Sequence, residues 1–278
     1  MSTQAPICVV AGVGNGSGTG AAAARAFANN GYSVALIARN PEHLKNIADE
    51  ICANGHDAAG FPVTSYTYEH IHGAFDEIKK HWPNREIRVT VWNVAHNVRR
   101  PFLEITEQIV QDSVQTNIVA AFAFARESIL AFKDLELNKH GKRGALIFTS
   151  ATAAWRGNTT TSAFSAGKHG ERALAQSLNK EFGPQNIHVS NVIIDGPILN
   201  GRLEKLATDK SILDNEDLRL DPASIAAGYV YIAHQDRTAW TFELDRGSAR
   251  TRKVVKSAGM APEWLVTLLV SYVRLKFN

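Results

Sequence analysis

The residues best placed to do chemistry begin with a glycine run, Gly12-Val13-Gly14-Asn15-Gly16-Ser17-Gly18-Thr19-Gly20, lying between an apolar stretch and an alanine-rich one. A strand-to-helix turn of this composition lets backbone N–H groups approach a pyrophosphate at a helix N-terminus, where the helix dipole favours negative charge. Gly14, Gly16, Ser17, Gly18, Thr19 and Gly20 are the expected phosphate-binding residues. Glycines alone are a weak signal; their position after a first strand and at the head of a helix makes the fingerprint of a dinucleotide site. The next apolar run, SVALIARN, ends in Ala38 and Arg39. An acidic residue there would bond the ribose hydroxyls of NAD. An uncharged residue followed by a guanidinium suits a 2′-phosphate instead, through charge-assisted and often bidentate bonds. NADP(H) is therefore the expected cofactor, with a merely solvated arginine as the competing reading. Further along, His96 follows the fourth apolar run, at the strand end where ligands sit in open α/β sheets. Imidazoles as a class exchange protons near neutral pH, which makes His96 a candidate proton donor; a loop histidine without a role is the alternative.

These residues need a scaffold, and the hydrophobic pattern supplies one. Apolar runs at 7–12, 33–38, 58–63, 87–93, 145–150, 187–194 and 240–244 read as strands. Segments of helical period occupy 20–30, 41–53, 68–81, 107–132, 162–182 and 222–234. The strands show little polar alternation, as expected where both faces are buried, and regular strand–helix alternation predicts a doubly wound parallel sheet. No repeat or low-complexity linker interrupts the pattern before about residue 247, so one domain over 1–246 and a tail over 247–278 are expected.

Composition agrees with such a domain. Of 278 residues, 45% are apolar and 21% charged, enough to build a core. A net charge of +3 without a basic, aromatic-interleaved stripe argues against nucleic acid as a partner. Two cysteines, Cys8 and Cys52, make no disulfide framework, and the N-terminus does not read as a signal peptide. A cytoplasmic protein without a metal site is the expectation.

Several motifs then fall into one order. Gly14-x-x-x-Gly18-x-Gly20 is followed by Val91-Trp92-Asn93-Val94-Ala95, by Asn117 in QTNIVAAF, by the segment 144–157, by Phe164-Ser165-Ala166-Gly167-Lys168, and by Asp195-Gly196-Pro197-Ile198. Over roughly residues 7–245 this resembles a short-chain dehydrogenase/reductase, whose motifs are TGxxxGxG, NNAG, an active-site Asn, a strand carrying a catalytic Ser, YxxxK and a terminal PG. The resemblance implies a three-layer α/β/α Rossmann fold, with Asn93 and Ile198 at the cofactor. It also implies that Asn117 belongs to the catalytic set, that Lys168 holds the nicotinamide ribose, and that helices 107–132 and 162–182 build a homodimer or homotetramer.

The resemblance breaks at two catalytic positions. Ala151 stands at the Ser position, with Ser150 just before it, and Phe164 stands where the proton-donating Tyr belongs. The chain is thus similar to an atypical branch with Phe for Tyr and the Lys retained. A phenyl ring has no proton to give, and losing a positioned acid costs roughly 10²–10⁴ in rate where nothing substitutes. Hydride transfer itself depends on proximity and cofactor orientation, not on that hydroxyl. His96 and the hydroxyls of Thr149, Ser150 and Thr152 are the candidate substitutes. The expected activity is NADP(H)-dependent oxidation or reduction of a small alcohol or carbonyl. The alternative is a non-redox protein that keeps the cofactor pocket, either a scaffold or an isomerase or lyase.

Beyond residue 245 come Arg246, Arg250, Arg252, Lys253 and Lys256, then APEWLVTLLVSYVRLKFN. Its apolar run falls short of the ~20 residues that span a bilayer. Docking on the core or on a partner subunit is the expected use of its apolar face, ahead of contact with a membrane surface.

Overall fold

The computed structural model describes residues 4–248. Seven strands, β1 (Ile7–Ala11), β2 (Ser33–Ala38), β3 (Ala58–Pro62), β4 (Ile87–Trp92), β5 (Gly144–Ala151), β6 (Ile187–Asp195) and β7 (Glu243–Gly247), form one sheet in the order β3-β2-β1-β4-β5-β6-β7. Every pairing is parallel. The helices are α1 (Thr19–Asn29), α2 (Pro41–Ala53), α3 (Tyr68–His81), α4 (Glu107–Val114), α5 (Ala120–Phe132), α6 (Ser162–Phe182), α7 (Gly201–Leu206), α8 (Ser211–Asp214) and α9 (Pro222–His234).

The strand pleat divides the core in two. Ile7, Val9 and Ala11 of β1 pack with Phe75 and Ile78 of α3, Phe124 of α5 and Leu174 of α6. Cys8 and Val10 face the other way, against Ala24 and Phe27 of α1, Ile47 of α2 and Tyr229 of α9. This is the three-layer, doubly wound arrangement, and its strand order reverses between β1 and β4, which opens a crevice at their carboxyl ends.

Helix starts follow local chemistry. The side chains of Asn40, Thr67 and Thr106 accept backbone N–H bonds from His43, His70 and Ile109, and proline stands at the head of α2 and α9. The expected continuous helix over 107–132 is broken by one π turn, Gln115–Val119, between α4 and α5. The unassigned stretch between β6 and α9 carries the short helices α7 and α8.

The last strand is shifted from its expected place at 240–244. Gln235 grips Thr241 from both sides, donating to Oγ1 (2.8 Å) and accepting its N–H (2.9 Å), so the chain joins the sheet only at Glu243. Trp240 is taken up instead by stacking on His188, with ring centroids 4.7 Å apart. The strand then runs on through Arg246, which pairs with Ile194 and donates to the Ser224 carbonyl (2.9 Å), and through Gly247. Arg246 therefore belongs to the sheet and not to a basic tail. The apolar segment expected after it lies outside the described residues.

Candidate cofactor and active site

Beyond β1 the chain turns through Gly12 (φ 90°), Gly14 (φ 61°) and Gly16 (φ 97°), all in the left-handed region that glycine adopts without strain. Close approach makes further demands. A Cβ on Gly20 would lie 2.3 Å from the Gly12 carbonyl oxygen, and one on Gly12 would lie 2.8 Å from the Asn93 backbone. Asn93, expected at the cofactor, braces this turn: its Nδ2 donates to the Gly12 carbonyl (2.8 Å) and its backbone N–H to the Ala11 carbonyl (2.9 Å).

Ser17 joins the turn to the segment after β6. Its hydroxyl donates to Asn15 Oδ1 (2.7 Å) and accepts the Gly201 N–H (3.0 Å). Arg25, which the sequence reading passed over, donates to the Gly16 carbonyl (2.9 Å) and makes a bidentate pair with Glu50 (2.7 Å to each oxygen). Its signal was present, since Arg25 is the one charged residue in α1. Arg39, at the end of β2, is exposed, and its guanidinium makes no hydrogen bond or ion pair among the described residues; it lies 5.9 Å from the centre of the Tyr66 ring.

The catalytic positions tell a different story. Asn117 is wholly buried in the π turn and clasps the His96 backbone, accepting its N–H (3.0 Å) and donating to its carbonyl (3.2 Å). The second Nδ2 hydrogen goes to Ser113 Oγ (3.1 Å), whose hydroxyl donates to the Ala163 carbonyl (2.8 Å) at the head of α6. The helix crossing is tight: a Cβ on Gly167 would lie 2.8 Å from Asn117.

Phe164 is buried on α6, one turn before Lys168. Lys168, expected to hold the nicotinamide ribose, is engaged by protein groups. Its Nζ donates to the Thr149 carbonyl (3.0 Å) and to both carboxylate oxygens of Glu171 (2.9 Å each), and both side chains are buried. An ammonium has three protons, and all three are taken. Burial pushes the Glu171 carboxyl up to about 7, against the opposing pull of Lys168. Glu171 was not among the expected site residues; its place three residues after Lys168, on the same helix face, was the available signal.

The hydroxyls separate by strand pleat. Thr149 points to the α9 face, where its hydroxyl shares a hydrogen bond with the Tyr229 hydroxyl (2.8 Å). Ser150, one residue on, faces the α6 side. Ile198 packs its side chain on the α1–α2–α9 core and pairs with Leu220.

The dinucleotide fits the residues present. Thr19 Oγ1, His96 Nε2, Asn97 Oδ1 and Ser150 Oγ are buried without a hydrogen-bond partner among the described residues, as are Thr90, His188, Asn191 and Trp240 atoms within or beside the sheet. The first four lie in or just before the segments leaving the carboxyl ends of β1, β4 and β5. Buried polar groups are normally paired, so a cluster of orphans along one crevice points to a polar ligand there. Among the described residues, no group of three His, Cys, Asp or Glu is placed to hold a metal ion, and no helix is long and apolar enough to cross a membrane.

Known proteins share this frame. Residues 8–209 match the family described as short chain dehydrogenase. An uncharacterized oxidoreductase of Escherichia coli, YciK, is 25% identical over 232 residues, covering 80% of this chain and 85% of its own. The human 3-oxoacyl-[acyl-carrier-protein] reductase is 27% identical over 172 residues, covering 61% and 66%. Among solved structures, a short-chain dehydrogenase from Rhodopseudomonas palustris superposes with a TM-score of 0.69 at 30% identity, covering 87% of this chain and 97% of that one. An alcohol dehydrogenase from Thermococcus sibiricus, complexed with 5-hydroxy-NADP, shares the fold with a TM-score of 0.75 at 19% identity, covering 89% and 98%.

Proposed function

The chain belongs to the short-chain dehydrogenase family, and we propose that it is an NADP(H)-dependent oxidoreductase acting on a small carbonyl or alcohol with an altered catalytic set. The observation that carries the cofactor choice is Arg39: a guanidinium at the end of β2 that has the Tyr66 ring beside it but no hydrogen bond or ion pair among the described residues. A 2′-phosphate supplies the partner it lacks. The NADP-type ligand of the Thermococcus relative accords with this reading.

Bound NADPH would supply the hydride. The chain's own part is to bind, orient and protonate. The glycine turn, held open by Asn93 and Arg25, presents backbone N–H groups to the pyrophosphate. Asn117 fixes the backbone of His96, whose unpartnered Nε2 is the candidate proton donor to the developing alkoxide. Phe164 keeps the Tyr position dry and contributes no proton. Self-association fits the exposed Val110, Val114, Phe122 and Leu130 on α4 and α5, which a second copy would cover as an isologous pair.

The test is a fluorescence titration. NADPH should bind about tenfold or more tightly than NADH, the scale of one charge-assisted contact, and Arg39→Ala should erase most of that preference. Equal dissociation constants for the two cofactors in the parent would contradict it. A non-redox role draws support from one observation, the closed state of Lys168; oxidation of NADPH by any carbonyl removes it.

A further inference from the structure

The Lys168–Glu171 pair is unusual on physical grounds. Glu171 is 0% exposed and Lys168 2%, and an ion pair so enclosed is retained only where its hydrogen bonds are complete. Here they are complete on the ammonium side, with Glu171 taking two protons and the Thr149 carbonyl the third. The pair sits on α6 one turn beyond Phe164, where no phenol is present to draw on the cation. Lys168 can reach a ribose hydroxyl only by giving up at least one of these bonds.

We infer that Glu171 is a positioning residue for Lys168, holding its ammonium beneath β5 while the carboxylate is charged and releasing it towards the cofactor ribose when Glu171 takes up a proton. The proton comes from solvent and resides on a Glu171 carboxylate oxygen; no bond other than hydrogen bonds is made or broken. The groups that face Glu171 are few. Lys168 lies on its own helix, the Trp92 indole comes from β4, and the Tyr229 phenol of α9, itself under the influence of Arg246, acts from across the sheet. Burial places the carboxyl about 7, so the release falls within the neutral range.

Two measurements test this, and they fail separately. The first rests on the cofactor reading above. A binding-competent form that needs Glu171 protonated is roughly nine-tenths populated at pH 6 and one-tenth at pH 8, so apparent NADPH affinity should fall about tenfold between them. Glu171→Gln should bind equally well at both. The parent-to-variant ratio of dissociation constants should thus be about ten at pH 8 and near one at pH 6. Titration of the 2′-phosphate itself cancels in that ratio. A flat ratio, or weaker binding by Glu171→Gln at pH 8, overturns the inference.

The second measurement needs no cofactor. Reductive methylation at pH 8, mapped by peptide mass spectrometry, should label Lys168 at least about tenfold faster in Glu171→Gln than in the parent, as expected if most of the ammonium is held in the pair. Lys142, buried at 1% exposure just before the amino end of β5, serves as the internal standard. Equal protection of Lys168 in both proteins overturns the inference. If neither protein binds NADPH, the cofactor reading falls and this arm judges Glu171 alone. Should Glu171→Gln not fold, Glu171→Asp keeps a carboxylate and must keep the pH dependence of binding; a flat profile in that variant counts against the proposal equally.

Discussion

The two halves of the sheet treat their polar groups in opposite ways. Around β1 and β2 the chain leaves bonding capacity unused: among the described residues Arg39 has no anionic partner and Thr19 Oγ1 no hydrogen bond. On α6 and the π turn before α5 the groups expected to act on substrate are satisfied from within, Asn117 by His96 and Ser113, Lys168 by Glu171 and Thr149, whereas Ser150 Oγ at the end of β5 and His96 Nε2 have no hydrogen-bond partner among the described residues. A binding surface must be left unsatisfied until its ligand arrives. Phe164, one turn before Lys168, offers no phenol to draw on its ammonium, and a buried ammonium without a partner would be costly. The contrast is between polar groups left open around the glycine turn and a lysine and an asparagine closed on protein partners near α6.

The largest expected effect comes from reversing the remodelling. Phe164→Tyr with Ala151→Ser should raise the rate on an activated carbonyl by up to ~10²–10⁴, the range assigned to a positioned acid. Glu171 should hold the gain of this pair towards the low end, because it keeps the Lys168 ammonium from the new phenol. Adding Glu171→Gln should therefore lift the rate further, and steady-state kinetics on the double and triple variants would read the difference.

Breaking the cofactor half should show in stability as well as in binding. Gly20→Ala drives a methyl to 2.3 Å from the Gly12 backbone carbonyl and 2.8 Å from the Asn93 side chain that braces the turn. A loss of about 3 kcal/mol, the upper end for overpacking, is expected in urea unfolding, along with loss of measurable NADPH binding.

A smaller effect separates both halves from the amino end of β6. His188, stacked on Trp240, has its acidity shifted by burial so that the ring protonates only at about 4. Its folded-state value lies below the unfolded one, so its stabilisation is complete above about pH 6.5 and is lost as pH falls towards 4. Glu171 acts in the opposite sense: its raised carboxyl favours the folded state increasingly as pH falls from about 7 towards 4.5. The clean readout is the difference between the parent and His188→Gln, which should close by about 2 kcal/mol between pH 6.5 and 5 in urea titrations. A gap independent of pH would contradict it.

How much of this could be read from the sequence depends on whether the cause was local. The helices at 41–53, 68–81 and 222–234 are where they were expected, because a cap or a proline fixes each start within a few residues of chain. The glycine turn was legible for the same reason. The last strand was misplaced because its start is set by the Gln235–Thr241 clasp, which periodicity does not encode. The π turn at Asn117 is likewise set by packing against Gly167, fifty residues away in sequence. Lys168 was identified and its partner was not. A motif specifies which residue stands at a position, while the orientation of an ammonium depends on every acceptor within reach, and Glu171 became the decisive one only once the fold had buried it.

The most direct test of the account is deuterium transfer. The protein would be incubated with NADPH deuterated at the hydride position and a panel of aldehydes and ketones, and the alcohols analysed by mass spectrometry. A slow yield of singly deuterated alcohol from the parent, rising in the Phe164→Tyr/Ala151→Ser variant, is the predicted result. NADPH that binds but yields no deuterated alcohol with either protein would contradict the assignment of this chain as an oxidoreductase.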